Sequence, residues 1–209
     1  SVMENERASQ ADGRERRLWG GLEPLVLASA SPRRAEILTA VGWPFEASAA
    51  SVDETLQEGE EPEAYVRRLA QEKAAAVAAT RLFGLVVGAD TVVVSDGRVL
   101  GKPRDEEDAR RMLRLLAGRW HEVLTGVALV RAESGRALVG CERTRVRFGA
   151  LSEREIEAYV ATGEPADKAG AYGVQGRAAL FVEAIEGDYW NVVGLPVRLL
   201  YKLSQEGGE

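Results

Sequence analysis

Residues 25–38 read LVLASASPRRAEIL, and the rest of the chain is organised around them. The apolar start predicts a short buried strand, after which Ser31 and Pro32 suit the N-cap and first position of a helix. Arg33 and Arg34 follow in its first turn. A helix N-terminus offers unpaired N–H groups, and arginine binds phosphate oxygens in a fork, so the stretch suits a phosphate chain. A capped helix with two solvated arginines explains it equally well.

Length and charge restrict the classes of protein to which the chain can belong. Its 209 residues suggest one large domain or two closely joined lobes. The net charge of −6 argues against a general nucleic-acid-binding surface, so any anion site must be a local pocket. No apolar run approaches membrane-spanning length, which argues against a membrane partner. Residues 1–23 are predicted to be a disordered extension, and residues 205–209 a tail.

The chain has one cysteine, Cys141, and one histidine, His121. A single cysteine excludes an intrachain disulfide framework and suits a reducing cytoplasm, where we expect the protein to be. One cysteine and one histidine also make a poor ligand set for zinc. His121 falls in a predicted strand, and we expect its role to be structural.

A second helix is predicted to start at Pro62. Its apolar stripe includes Val66 and Leu69, and Lys73 falls on the same stripe. A lysine at the edge of such a stripe usually turns its ammonium outward into solvent. It could instead point into a cleft, and the helix alone leaves both possibilities open.

Residues 85–94, LVVGADTVVV, are the most apolar segment and predict a buried strand that turns back as a hairpin. Asp90 stands in the middle of it. Because burying a lone carboxylate is costly, Asp90 must meet a metal, a cationic partner or an exposed cleft. Alternatively, the strand breaks at Gly88 and Ala89, and Asp90 caps a turn. The immediate return of valines at 92–94 favours the functional interpretation.

Residues 164–176, EPADKAGAYGVQG, repeat glycine at every third position from Gly170 to Gly176. Such density suits neither a helix nor a central strand, and it would let the backbone approach a ligand closely. The alternative is a flexible surface loop. The small apolar residues between the glycines weaken that alternative.

Predicted strands and helices are intermixed along the chain. Two long strands, 121–131 and 137–148, are expected to form a hairpin at the centre of a sheet. Helices are expected after Asp105 and from a capping box at 152–155. A strand over 180–185 and a helix from Pro196 complete the pattern. Hairpins combined with crossovers favour an α/β fold around a mixed sheet.

Several of these segments together carry a family resemblance. They are LASASPRR (27–34), Asp53-Glu54, the helical segment 69–73, GADTVV (88–93), LGKP (100–103), DKAGAYGVQG (167–176) and NVVGLP (191–196). In this order they closely resemble the Maf family of nucleoside triphosphate pyrophosphatases, in particular its dTTP/UTP pyrophosphatase branch. The resemblance covers residues 24–204 as a single domain. It implies an elongated mixed sheet flanked by helices, two lobes with the active site in the cleft between them, a homodimer, and dependence on a divalent metal.

The resemblance also implies roles for individual residues. Asp90 corresponds to the family's proton acceptor. Arg33, Thr91 and Gln175 stand where the branch sets its base preference. The polar residues that the resemblance places along the cleft are Ser31, Arg33, Arg34, Glu54, Lys73 and Lys102.

These roles agree with the chemistry of the residue types. Asp90 and Glu54 are hard oxygen ligands suited to Mg²⁺ or Mn²⁺, and Asp90 either activates water or holds the metal. The predicted reaction is attack of water on the α-phosphate of dTTP, UTP or a modified pyrimidine nucleotide, which releases pyrophosphate. The predicted phosphate clamp consists of Arg33, Arg34, Lys73 and Lys102, completed by Ser31 and nearby N–H groups.

Two other functions are alternatives to this prediction. The family's other branch resembles a 7-methyl-GTP pyrophosphatase, but that branch lacks the pattern of residues 167–173. The second alternative is a non-enzymatic regulator of cell division, which would not need Asp90 in an apolar strand or four converging cations.

One departure from the family pattern, Trp190 and Asn191 after the turn at 187–188, is expected to have little catalytic effect.

Overall fold

A seven-stranded sheet flanked by helices forms the part of the chain that the computed structural model describes, residues 21–206. The strands are β1 (Leu25–Leu27), β2 (Phe45–Ala47), β3 (Leu85–Ser95), β4 (Arg98–Leu100), β5 (Trp120–Arg131), β6 (Ala137–Phe148) and β7 (Val182–Glu186). The helices are α1 (Pro32–Ala40), α2 (Pro62–Ala78), α3 (Glu106–Leu116), α4 (Glu153–Val160), α5 (Tyr189–Val193) and α6 (Val197–Glu206). Short 3₁₀ helices cover Glu164–Asp167, Ala169–Ala171 and Arg177–Leu180. The predicted α/β class is confirmed.

Small differences from the prediction occur towards the C-terminus. The last strand starts at Val182, two residues later than predicted, because the preceding segment closes into a 3₁₀ helix that leaves Leu180 86% exposed. Helix α6 continues to Glu206, into the predicted tail. Apart from positions 21–23, the predicted disordered extension lies outside the described residues, as do positions 207–209.

The sheet is mixed, with the strand order β2-β1-β3-β5-β6-β7 and β4 paired to β3. Strand β1 pairs in parallel with β2 and β3, and the remaining pairings are antiparallel. The predicted central hairpin is confirmed, since β5 and β6 pair from Trp120↔Arg147 to Val130↔Ala137.

Strand β3 has a gap along one edge. Strand β1 pairs with it only as far as Val87, and β4 begins to pair at Val93. Within the described residues, no strand covers positions 88–92 on that side, whereas β5 covers them on the other side. The gap leaves a cleft at the middle of β3.

Helix α2 covers one face of the sheet at very short range. A Cβ added at Gly88 would lie 2.1 Å from the Ala70 carbonyl oxygen. One added at Gly126 would lie 2.2 Å from the Val66 carbonyl oxygen. Only glycine allows the helix backbone to approach β3 and β5 so closely. This approach brings Lys73, about one turn after Ala70, over β3.

The larger core lies on the opposite face of the sheet, and α1, α3, α4 and α6 contribute to it. No helix in the described range is long and apolar enough to cross a membrane. Because both faces of β3 are packed, the side chains at its gap are held on a rigid strand. Large side chains buried in this core include Leu27, Leu38, Leu113, Phe148 and Leu200.

Candidate active site

A cavity of about 470 Å³ lies at the gap in β3. Its walls come from the start of α1, the middle of β3, the segment after β4 and the glycine-rich loop, residues 164–176. Segments that are far apart in the sequence therefore contribute jointly to one site. The cavity is lined by all nine residues singled out from the sequence: Ser31, Arg33, Arg34, Glu54, Lys73, Asp90, Thr91, Lys102 and Gln175.

Lys73 joins two carboxylates within the cavity. Its Nζ lies 2.9 Å from Asp90 Oδ1 and 2.7 Å from Glu54 Oε1. Asp90 remains within β3 and is only 8% exposed, so it does not cap a turn, and Lys73 points into the cleft. Burial raises the pKa of Asp90, although Lys73 and Arg34 act in the opposite direction. Asp90 is consequently a stronger base than an ordinary aspartate.

Glu54 reaches the cavity from a loop that α2 holds in place. The Tyr65 hydroxyl donates to the Glu54 carbonyl oxygen at 2.5 Å. Arg68 Nη2 donates to the next carbonyl oxygen, that of Thr55, at 3.0 Å. Burial is the main reason that the pKa of Tyr65 rises to about 12, so its hydroxyl stays a donor at neutral pH. The loop is thus fixed by the helix that also supplies Lys73.

Arg34 ties three parts of the cleft together. Its backbone N–H donates to Ser31 Oγ at 3.4 Å, which is the predicted helix cap. Its Nε donates to the Gly194 carbonyl oxygen at 2.8 Å. Its Nη1 donates to Ser29 Oγ at 3.3 Å, and its Nη2 to Thr91 Oγ1 at 3.0 Å. Arg34 is therefore a cross-link between α1, β3 and the turn before α6, and not a solvated arginine.

Arg33 spans the mouth of the cleft. Its Nη1 lies 3.4 Å from Asp167 Oδ2, and Lys168 Nζ lies 3.0 Å from the other oxygen, Oδ1. Burial acts to raise the pKa of Asp167, but Lys168 and Arg33 together lower it below its usual value. Lys102 is exposed along the same cavity. The ion pair connects α1 to the glycine-rich loop across the opening.

Thr91 is oriented by a residue that sequence reasoning missed. Its Oγ1 lies 2.8 Å from Thr125 Oγ1, directly opposite on β5. Thr125 is fully buried. Nothing in its local sequence marks it, because only the register between β3 and β5 brings the two hydroxyls together.

The glycine-rich loop is shaped around protein side chains. A Cβ at Gly173 would lie 2.5 Å from Lys168 Cε. One at Gly176 would lie 2.3 Å from Glu164 Oε1. This differs from the sequence interpretation, in which the glycines make room for a ligand. Gly176 N donates to the Gly173 carbonyl oxygen at 3.1 Å and so closes a turn from Gly173 to Gly176. This turn presents the exposed Gln175 to the cavity.

A family model described as Maf-like protein matches residues 24–206. The chain belongs to the Maf family. The dTTP/UTP pyrophosphatase of Symbiobacterium thermophilum is 53% identical over 187 residues, which cover 89% of this chain and 95% of that protein. The dTTP/UTP pyrophosphatase of Moorella thermoacetica is 56% identical over 176 residues, covering 84% and 91%. The solved structure of the Staphylococcus aureus Ham1 protein is a more distant likeness, with 13% identity and a TM-score of 0.49 over 90% of this chain and 100% of that one. The resemblance predicted from the motifs is thus confirmed.

Two further polar residues of this Maf chain are buried and make hydrogen bonds in the interior. His121 Nε2 is 2.7 Å from the Tyr172 hydroxyl, and burial lowers the pKa of His121 to about 4, so the ring is neutral. Asn191 Nδ2 donates to the Val123 carbonyl oxygen at 3.1 Å and to Thr144 Oγ1 at 3.0 Å. Asn191 thus attaches α5 to β5 and β6.

In this Maf site, Asp90 and Glu54 are close enough together for one metal ion to bind both carboxylates, since each of them contacts the Lys73 ammonium. Among residues 21–206, no group of three or more His, Cys, Asp or Glu side chains could hold a metal ion. Mg²⁺ commonly uses only one or two carboxylates and completes its octahedron with water and substrate phosphates. Two hard oxygen donors beside a cationic cavity therefore fit an ion that a nucleotide also coordinates.

Proposed function

We propose that this chain is a nucleoside triphosphate pyrophosphatase that converts dTTP and UTP, or modified pyrimidine nucleotides, to the monophosphate and pyrophosphate. The observation that carries the proposal is the Asp90–Lys73–Glu54 cluster, in a cavity that also contains Arg33 and Lys102. Hydrolysis of a phosphoanhydride needs a base and cations in one place, and this cluster provides both. The names of the Symbiobacterium and Moorella relatives support the choice of substrate.

The triphosphate chain binds at the N-terminus of α1. The unpaired N–H groups of that helix and the cations around the cavity complement the negative charge of the phosphates. Arg33 exchanges its contact with Asp167 for phosphate oxygens when the nucleotide enters. Lys102, which is exposed on the cavity wall, contacts the phosphates as a point charge. Arg34 supports this phosphate-binding site chiefly by holding its elements together.

Asp90 accepts a proton from the attacking water. A general base works best when its pKa lies towards the working pH, and the burial of Asp90 moves its pKa in that direction. Lys73 keeps the carboxylate oriented towards the cavity from its position over β3. As the water attacks the α-phosphate, the bond to the leaving pyrophosphate breaks.

A divalent metal, Mg²⁺ or Mn²⁺, completes the site. Asp90 and Glu54 are the residues that would hold it. When bound, the ion stabilises the negative charge that develops on the phosphates and on the leaving pyrophosphate. Lys73, which lies beside both carboxylates, adds positive charge to this part of the cavity.

The nucleobase lies beside the glycine-rich loop, where Gln175 reads it. A side-chain amide has a donor and an acceptor, and the Watson–Crick edge of uracil or thymine presents both. Arg33 and Thr91 complete the base preference, and the contact between Thr91 and Thr125 fixes the direction of the Thr91 hydroxyl.

The proposal includes a cytoplasmic homodimer. The single cysteine provides no intrachain disulfide, which suits a reducing compartment. The dimer follows from the family resemblance, and light scattering coupled to size-exclusion chromatography measures it directly.

Product analysis tests the function. The purified protein is incubated with UTP, dTTP, CTP and 7-methyl-GTP in Mg²⁺ or Mn²⁺, and products are separated by ion-exchange chromatography. We expect UMP or dTMP plus pyrophosphate, and no turnover in excess chelator. Diphosphate plus orthophosphate, a preference for 7-methyl-GTP, or absence of hydrolysis would each refute the proposal.

A further inference from the structure

We propose that Glu164 is a positioning residue that sets the pyrimidine selectivity of the site by holding the turn that carries Gln175. The inference rests on the proposed function. Glu164 lies outside the motif that begins at Asp167, and its contacts hold a short glycine-rich turn so that the turn presents a side chain at a defined place.

The Glu164 carboxylate anchors both ends of this turn. Its Oε1 accepts a hydrogen bond from the Tyr159 hydroxyl at 2.7 Å, and its Oε2 accepts one from Arg177 N at 3.2 Å. The Tyr159 hydroxyl in turn accepts a hydrogen bond from Gly173 N at 3.1 Å. One end of the turn is therefore attached to Glu164 through Tyr159, and the other end is attached to it directly.

Tyr159 is itself a rigid support. Its side chain is only 3% exposed, and its ring packs edge-on against Phe181 with centroids 5.3 Å apart. Burial raises the pKa of Tyr159 well above its ordinary value, so the hydroxyl remains protonated and donates to Glu164. The carboxylate thus has a fixed partner at the end of α4.

The backbone of Glu164 is held from its other side. Lys168 Nζ donates to the Glu164 carbonyl oxygen at 2.9 Å. The stem of Lys168 and the Glu164 carboxylate occupy the spaces that side chains at Gly173 and Gly176 would need. The first and last residues of the turn are thus glycines because this support lies directly against them.

The position of Gln175 follows from these contacts. Gln175 is exposed and lies one residue before Gly176, so the ends of the turn determine where its amide can reach. A hydrogen bond weakens steeply outside a narrow range of distance and angle. A turn freed from Glu164 would therefore lose discrimination between bases more than it would lose contact with the phosphates.

The first experiment compares Glu164→Ala and Glu164→Gln with the wild type, using kcat/KM for UTP and for CTP. We expect the UTP/CTP ratio to fall roughly five- to tenfold in Glu164→Ala, the effect of losing about one hydrogen bond. We expect a smaller fall in Glu164→Gln, whose amide oxygen can still accept one of the two bonds. Glu157→Ala removes an exposed carboxylate from α4 that pairs with Arg110, and as the matched control it should keep the wild-type ratio.

The second experiment is a double-mutant cycle between Gly176→Ala and Glu164→Ala. The methyl group added at position 176 pushes the carboxylate off its hydrogen bonds, so Gly176→Ala alone should also lower the UTP/CTP ratio. In the Glu164→Ala background the methyl group meets no carboxylate, and it should change the ratio by less than about twofold.

Two results would overturn the inference. One is a Glu164→Ala protein that is folded, by circular dichroism, and as selective as the wild type. The other is an equal fall in kcat/KM for UTP and CTP accompanied by a lower melting temperature, which is the pattern of a purely structural residue. The failure of the proposed function is distinguishable, because in that case the wild type itself would hydrolyse neither UTP nor dTTP.

Discussion

Lys73 and Asp90 contact each other at 2.9 Å across the interface between α2 and β3. Each charge would be costly to bury alone, and the pair offsets part of that cost. Since burial still raises the pKa of Asp90, the ion pair does not fully compensate for the loss of water around the carboxylate. The site therefore keeps a carboxylate in a state that favours uptake of a proton.

Asp90→Asn tests whether that carboxylate acts as the base. The amide has the same shape and no charge, so kcat for UTP should fall by at least ~10² while the fold persists. Steady-state kinetics and circular dichroism measure the two effects. Asp96→Asn, a change in the exposed turn between β3 and β4, is the control and should leave kcat unchanged. Near-normal turnover in Asp90→Asn would contradict the assignment, and a collapse of Mn²⁺ affinity would identify Asp90 as chiefly a metal ligand.

Lys102→Ala and Arg34→Ala should differ in stability although both lower activity. Each substitution should reduce kcat/KM for dTTP and for UTP by similar factors, because both residues belong to the proposed phosphate-binding site and neither contacts the base. Arg34→Ala also leaves the Gly194 carbonyl oxygen without its donor, so it should lower the free energy of unfolding by about 1–3 kcal/mol. Lys102 is exposed, and its loss should change stability by less than about 0.5 kcal/mol. Urea denaturation separates the two, and a loss of activity with only one nucleotide would contradict the phosphate role.

Gln175→Ala should narrow the preference for uracil and thymine. Loss of a discriminating hydrogen bond costs about 1–3 kcal/mol, so kcat/KM for UTP and dTTP should fall roughly 5- to 150-fold. CTP and purine triphosphates never gained from that bond and should change far less. Competition assays with mixed nucleotides measure the ratio. An equal loss with every triphosphate, or a lower melting temperature with selectivity intact, would reject Gln175 as the residue that reads the base.

The buried His121 should make the protein less stable in mild acid. Its pKa is about 4 in the folded chain against an ordinary value of 6.5, so between these values only the unfolded chain binds the proton. Stability is therefore retained above pH 6.5 and lost as the pH falls towards 4. His121→Phe removes this contribution. Between pH 7 and pH 5 the free energy of unfolding of the wild type should therefore fall by about 2 kcal/mol more than that of His121→Phe. Urea denaturation at both pH values measures it, and an equal change in the two proteins would show that His121 has the same pKa in the folded and the unfolded chain.

Local chemistry made part of this site predictable. A carboxylate in a run of valines and a lysine on an apolar helical stripe are each anomalous where they stand. Asp90 and Lys73 could therefore be selected before any contact between them was known. The capped start of α1 was also predictable, because Ser31 and Pro32 act within a single turn.

Long-range register determines the features that could not be predicted. Thr125 acquires its role only because β5 places it opposite Thr91. The gap in β3 depends on where β1 and β4 stop pairing, and no local pattern encodes that. The predicted role of the glycines, to make room for a ligand, was wrong because of similar long-range contacts. A high density of glycine shows that space is needed, but it does not show which group fills that space. At Gly176, the carboxylate of Glu164 fills it.

The contact of α2 with the sheet at Gly88 and Gly126 has a practical use in enzyme engineering. The spacing between helix and sheet is set by backbone against backbone, and Lys73 depends on that spacing to reach Asp90. A methyl group at Gly88 would push the helix away from the sheet and move the Lys73 ammonium away from Asp90, although Gly88 itself does not line the cleft. The two glycines, neither of which lines the cavity, thus offer an indirect way to change the distance between the Lys73 ammonium and the proposed catalytic carboxylate, Asp90.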